Sequence, residues 1–124
     1  MNIEHITKHF SLVKCTCPCC DRLKVVPGLF THMTKLEEMR REVGFTVIIT
    51  SAYRCPLHNR AVGGAVRSWH LLFATDVRPN RGSGFAGRLK RMYKVALSMK
   101  WGGIGYYDNF LHLDMRPEEA RWRN

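Results

Sequence analysis

The chain of 124 residues contains no apolar run of membrane-spanning length, so a helical span is not expected. Met1 to Phe10 hold no uninterrupted hydrophobic segment and no small-residue cleavage site, so the pattern of a secretory signal is missing. Synthesis in the cytoplasm is the expectation. Internal repeats and low-complexity tracts are also missing, which argues against solenoids and linker-like chains. Acidic residues are scarce, 10 Asp and Glu against 20 Lys and Arg, and the net charge is +10. That excess favours an anionic polymer as partner (nucleic acid, acidic lipid or cell wall) without choosing among them, and a merely solvated basic surface is the bland alternative. An even cysteine count is lacking too. Four of the five crowd into Cys15-Thr16-Cys17-Pro18-Cys19-Cys20 and Cys55 stands alone. Without a signal, a disulfide framework is not expected.

What remains is the composition of one ordinary core. Hydrophobic residues make up 45% of the chain, enough for a single domain over 1–124 with a cysteine-containing N-terminal segment, 1–24. A helix is expected to begin near Pro27, a good first-turn residue, and to run to Gly44, a C-terminal cap. Leu29, Phe30, Met33, Leu36 and Met39 follow helical spacing within it. Phe45 to Thr50 reads as a strand, and Ser51 to Arg67, with Pro56 and Gly63-Gly64, as a long ordered loop. A strand end carries His70, and a second strand spans about Ala74 to Arg78. Ser83 suits the N-cap of a helix from Phe85 to Lys100, apolar on one side and basic through Arg88, Lys90, Arg91 and Lys94 on the other. Gly103–Tyr106 and Phe110–Met115 read as a hairpin, after which Pro117 ends the strand. The fold class expected is α+β, a small antiparallel sheet packed against helices.

The residues that carry chemistry are His70, Asp76 and His112, with Asp114 beside the last. Two imidazoles and a carboxylate form a three-ligand zinc set that leaves a fourth position open, as hydrolysis requires. Alternate residues of a strand share a face, so His112 and Asp114 point the same way. Asp114 therefore reads either as a proton acceptor or as the partner that orients His112. Arg54, just past a strand, is the candidate cation for an oxyanion. His5, His9, His32 and His58 read as ordinary surface or core histidines. The spacing of His70 and Asp76 alone is a weak motif.

A wider pattern adds specificity. The run Ile49-Thr50-Ser51-Ala52-Tyr53-Arg54-Cys55-Pro56-Leu57-His58-Asn59-Arg60-Ala61-Val62-Gly63-Gly64-Ala65 is followed by Ser68-Trp69-His70 and Ala74-Thr75-Asp76-Val77. Later come Trp101-Gly102-Gly103-Ile104-Gly105-Tyr106-Tyr107, Phe110-Leu111-His112-Leu113-Asp114-Met115-Arg116-Pro117 and Arg121-Trp122. These runs resemble the M15 zinc peptidases, most of all their short single-domain branch in bacteria and phages. The resemblance covers nearly the whole chain, in order. It implies the fold shared by D-Ala-D-Ala carboxypeptidases and the Hedgehog signalling domain. It also implies Zn2+ as cofactor and cleavage of peptide bonds in peptidoglycan stem peptides or cross-links. It places the metal ligands on His70, Asp76 and His112, the conserved arginine on Arg54, and the serine that braces the metal-binding loop on Ser68. Tyr53 and Asn59, in the same run, read as supporting or substrate-side residues.

Two departures stand out. The family motif Ser-x-His-x-x-Gly-x-Ala-x-Asp places Asp seven residues after His, whereas here the distance is six. Ala74 and Asp76 keep their mutual spacing, so the loop is expected to absorb the loss. Many relatives also carry a Glu general base where this chain has Asn109. Asp114 is the first choice to replace it and Asp108 the second. Trp69, Tyr53 and Tyr106 are candidates for the cleft wall.

Whether Cys15, Cys17, Cys19 and Cys20 bind metal stays open. Zinc fingers and ribbons draw on two separated pairs, so a loop of buried or free thiols is the first reading. A metal or redox role, with Cys55 joining, is the second. A small basic zinc module for nucleic acid would not explain the Ser-x-His and His-x-Asp runs, so no nucleic-acid partner is expected. The whole reading is a monomeric zinc peptidase without membrane insertion, a phage-type lysin or wall-remodelling enzyme acting at the cell wall or periplasm. A non-catalytic zinc-containing domain that binds wall peptide is the alternative.

Overall fold

The computed structural model describes residues 5–23, 28–65 and 68–124. The helix start expected near Pro27 lies outside them. Helix α1, Leu29–Val43, buries Leu29, Met33, Leu36, Met39 and Val43, one stripe at helical spacing. It stops at Gly44, whose φ of 78° is the left-handed turn that a side chain resists. Strand β1, Val47–Ser51, follows.

Four expectations about local structure are corrected. The long loop after β1 contains a short helix α2, Pro56–Ala61, with Cys55 as its cap and Pro56 in its first turn. His70 lies on a 3-10 turn, Trp69–Leu71, rather than at a strand end. Strand β2 is Ala74–Pro79 and helix α3 is Phe85–Ser98. The N-cap of α3 is Gly84 rather than Ser83, at φ 83°, with no side-chain cap bond. Finally, the residues after Pro117 form another strand. Strands β3 (Gly103–Tyr106) and β4 (Leu111–Asp114) make the expected hairpin, and β5 (Ala120–Arg123) pairs with β3.

The five strands form one sheet in the order β1-β2-β4-β3-β5. The pairs β1/β2, β2/β4 and β3/β4 are antiparallel, but β3/β5 is parallel, so the sheet is mixed. The fold is α+β. Helices α1 and α3 pack on each other, and α3 also packs on β2, β3 and β4. Leu89, Met92, Val95 and Ala96 of α3 join Val77, Ile104, Leu111, Leu113 and Trp101 in the core. Each such large side chain, fully buried, contributes on the order of 1.5–3 kcal/mol. His32 of α1 is 2% exposed and bonds Thr75 of β2 (Nε2 to Oγ1, 2.9 Å), a core histidine. Glu37 of α1 accepts from the His9 backbone at 2.7 Å, tying the N-terminal segment to the helix. Among the described residues no helix is long and apolar enough to cross a membrane.

Candidate metal centre

Strand alternation decides which side chains reach the site. Val77, Leu111 and Leu113 belong to the core, so Asp76, His112 and Asp114, one residue out of phase, take the other face of the sheet. Asp76 stands directly opposite His112 in the β2/β4 ladder, and Ala74 opposite Asp114. On the other side of β4, Gly105 of β3 faces His112 and Gly103 faces Asp114. His70 arrives from the 3-10 turn. Ser68 caps that turn, its Oγ accepting from the His70 amide at 3.1 Å. Leu72 bends the chain between turn and strand (φ −99°, ψ −86°), and Ala74 and Asp76 both keep their places in the ladder.

The donor set follows from the hydrogen bonds. His70 Nδ1 donates to the Ala52 carbonyl at 2.6 Å, because that oxygen only accepts. Its Nε2 lone pair is thereby turned on Asp76 Oδ1, 3.2 Å away. His112 Nε2 donates to Asp114 Oδ2 at 2.7 Å, leaving Nδ1 3.1 Å from the same Asp76 oxygen. Ligand atoms of His70, Asp76 and His112 all lie within 4.8 Å of one another. Two ring lone pairs and a carboxylate turned inward, each ring fixed by a hydrogen bond on its far nitrogen, form the donor chemistry of a divalent cation such as zinc.

Burial works against the charge on Asp76, but the two imidazoles beside it, His112 and then His70, outweigh it and lower its pKa to about 2. Burial likewise opposes the charge on His112, and Asp114 and Asp76 outweigh it and raise its pKa. Asp114 is fully buried, yet Arg116 and His112 hold it below the ordinary carboxylate range. Arg116 grips it bidentately, Nε to Oδ1 at 2.8 Å and Nη2 to Oδ2 at 2.6 Å, and adds its backbone amide at 3.0 Å. Both oxygens are engaged, and Asp114 lies behind His112, outside the residues that line the cleft. Asp108 is exposed on the β3–β4 turn and does not line the cleft.

The His70, Asp76 and His112 trio lies in a cleft of about 620 Å³, which Arg54, Gly64, Ser68, Trp69, Tyr107 and Trp122 also line. Arg54 Nη2 is 3.7 Å from Asp76 Oδ2. Its guanidinium rests on Ser51 Oγ and on Asn59 Oδ1, both at 3.3 Å. Asn59 is buried and donates to the Ala65 carbonyl at 2.8 Å, so it fixes the arginine from behind. A Cβ on Gly64 would collide with the Asn59 side chain. Of the proposed wall aromatics, Trp69 lines the cleft, whereas Tyr53 and Tyr106 pack against the core. Sequence reasoning missed Tyr107, Phe110, Arg116 and Trp122. Tyr107 and Phe110 stack at 4.4 Å between centroids, and the Trp122 indole donates to the Tyr107 hydroxyl at 2.9 Å. The Arg116 guanidinium lies 5.1 Å from the ring centroids of both Trp69 and Trp122. The tail Arg121-Trp122 was visible as part of the resemblance, but only β5 pairing shows where its indole goes.

A family model described as Peptidase M15 matches residues 4–114 of the chain. No curated protein and no solved structure matches it.

Proposed function

Since this chain belongs to the M15 peptidase family and is thus a metallopeptidase by family, we propose that it is a zinc-dependent hydrolase of peptide bonds in bacterial peptidoglycan stem peptides or cross-links. The observation that carries the reading is the convergence of His70, Asp76 and His112 in a cleft that also presents Arg54. His70 through Nε2, His112 through Nδ1 and Asp76 would hold the ion. Bound there, zinc supplies Lewis acidity, polarising a carbonyl and making water acidic enough to react near neutral pH.

The other roles belong to the chain itself. Asp114 keeps the proton on His112 Nε2 and so keeps Nδ1 free as a ligand atom. Arg54, immobilised by Ser51 and Asn59, meets the negative charge of a developing oxyanion or of a substrate carboxylate. The Tyr107 hydroxyl accepts from Trp122, which leaves its own hydrogen to donate to a substrate amide. Trp69, Phe110 and Trp122 supply flat apolar walls for a peptide. The setting proposed is a phage-type lysin, or second a wall-remodelling enzyme, made in the cytoplasm and acting at the cell wall. The net charge of +10 would hold it near anionic wall polymers.

The test is amine release from purified peptidoglycan, with mass spectrometry of the fragments to identify the bond. Cleavage that a chelator stops and that His112→Ala lacks supports the proposal. Tight wall binding without any released amine would instead favour a non-catalytic wall-binding domain. One observation speaks for that second reading: among the described residues lining the cleft, Asp76 is the only carboxylate.

A further inference from the structure

Cys15 stands apart from the other cysteines. It is fully buried, and its thiol points at the Ser11 carbonyl, 3.8 Å away. The remaining four converge. Cys17, Cys19 and Cys20 share one tight turn, in which the Cys17 carbonyl accepts from the amides of Cys20 (3.4 Å) and Asp21 (2.8 Å). Asp21 closes that turn with a left-handed φ of 56°. Cys55 reaches the same point from the loop after β1. Cys19 Sγ is 3.5 Å from Cys17 Sγ and 3.2 Å from Cys55 Sγ. All four sulfurs lie within 4.8 Å of one another.

That spacing is close to the one a tetrahedral ion imposes. With zinc–sulfur bonds of roughly 2.3 Å, the edges of a regular tetrahedron are roughly 3.8 Å. Two backbone amides also aim at these sulfurs: Cys55 N–H donates to Cys17 Sγ and His58 N–H to Cys55 Sγ, each at 3.4 Å. Such donors favour sulfur carrying negative charge, as in a metal thiolate. A disulfide would consume only two of the four, and Cys19 and Cys20 are adjacent. Three sulfurs come from the turn and the fourth from a distant loop, so no single short segment has to wrap the ion.

We propose that Cys17, Cys19, Cys20 and Cys55 form a second, structural metal site, a closed tetrathiolate centre for a soft divalent ion such as zinc, separate from the His70–Asp76–His112 centre. All four positions are filled by protein, so this centre does no hydrolysis. It fastens the N-terminal segment to the loop that carries Arg54. That loop is already joined to both sides by backbone bonds, Tyr53 N–H to the Cys15 carbonyl at 3.4 Å and Arg54 N–H to the His70 carbonyl at 2.8 Å. The inference does not depend on what the cleft hydrolyses.

The deciding measurement is metal content of the full chain purified reduced and without chelator, by plasma mass spectrometry. Wild type is expected to hold two zinc ions per chain, one for each cluster. The double variant His70→Ala/His112→Ala should keep one, and its cobalt-loaded form should show near-ultraviolet thiolate-to-cobalt charge transfer. Cys19→Ser/Cys20→Ser should lose that thiolate-held ion and keep the one in the cleft. If that variant fails to fold, the histidine variant decides alone. The proposal is overturned if the folded histidine variant binds no ion or shows no thiolate band. It is equally overturned if intact mass shows Cys19 and Cys55 joined as a disulfide in the reduced preparation.

Discussion

At the scale of single residues, the site depends on what stands behind the ligands. Asp114 does not line the cleft, yet it bonds His112 from behind and is itself clamped by Arg116. Asp114→Asn keeps the shape and removes the charge. It also leaves Arg116 in the second layer without its ionic partner. Zinc affinity, measured by competition with a chromophoric chelator, is expected to fall about 10- to 100-fold. Unchanged affinity would show that His112 needs no orienting carboxylate. Arg54 tests a different layer. Arg54→Ala should leave bound zinc unchanged and lower kcat by about 10²–10³-fold, the size of one lost oxyanion donor. Loss of zinc along with activity would mean that the arginine acts through Asp76, 3.7 Å away, rather than on substrate.

At the scale of elements, the hairpin β3–β4 does more than supply His112. Gly103 and Gly105 leave room on β3 for their neighbours: a Cβ at Gly103 would run into the Asp114 carboxylate and the Arg116 Nε, and one at Gly105 into the Trp122 indole. Gly103→Ala is therefore expected to weaken metal binding although it replaces no ligand. Equilibrium dialysis with zinc checks it, and wild-type affinity would mean that the pair shifts aside without cost. This dependence also marks where the sequence stopped being legible. Helices α1 and α3 could be read because their apolar residues recur at helical spacing, and His112 and Asp114 because a strand alternates. The trio His70, Asp76 and His112 gained its specificity from the resemblance of long runs, since the separation of His70 and Asp76 is weak by itself. Helix α2 was missed because six residues carry no periodicity and its cap is a thiol, Cys55. Strand β5 was missed because Ala120-Arg121-Trp122-Arg123 has only one strongly apolar residue and lies at the edge of the sheet. Its parallel pairing with β3 depends on a return path that periodicity does not encode. Arg116 and Trp122 were hidden for the same reason, since their partners are set by register. The tight turn of Cys17 to Asp21 is likewise a matter of backbone conformation, which is why the thiol cluster could not be resolved from spacing.

At the scale of the whole molecule, two bulk properties carry consequences. His32 is buried and, chiefly by desolvation, its pKa falls to about 3 from the ordinary 6.5. The unfolded chain therefore binds a proton that the folded chain refuses between those values. Its contribution to stability is whole above about pH 6.5 and is lost progressively as pH falls toward about 3. Denaturant unfolding at several pH values should show a shallower acid decline in His32→Gln than in wild type, and parallel declines would remove His32 as a cause. The net charge of +10 makes the second prediction. Cleavage of intact wall should weaken as salt rises, while cleavage of a small neutral peptide should not. Equal salt response for both substrates would make the charge incidental.

Asp76 and His112 are partners across the β2/β4 ladder, so two of the three proposed metal ligands project from a single rung of one hydrogen-bonded frame. Pulling them apart means breaking backbone bonds, and bringing them together requires no search. Loading of the cleft in stripped Cys19→Ser/Cys20→Ser protein, which lacks the thiolate centre, should accordingly be a single second-order event, its speed set by ion concentration and by how fast the ion sheds its hydration shell. A slow, concentration-independent phase in stopped-flow uptake would reveal a frame that assembles only after the ion has arrived.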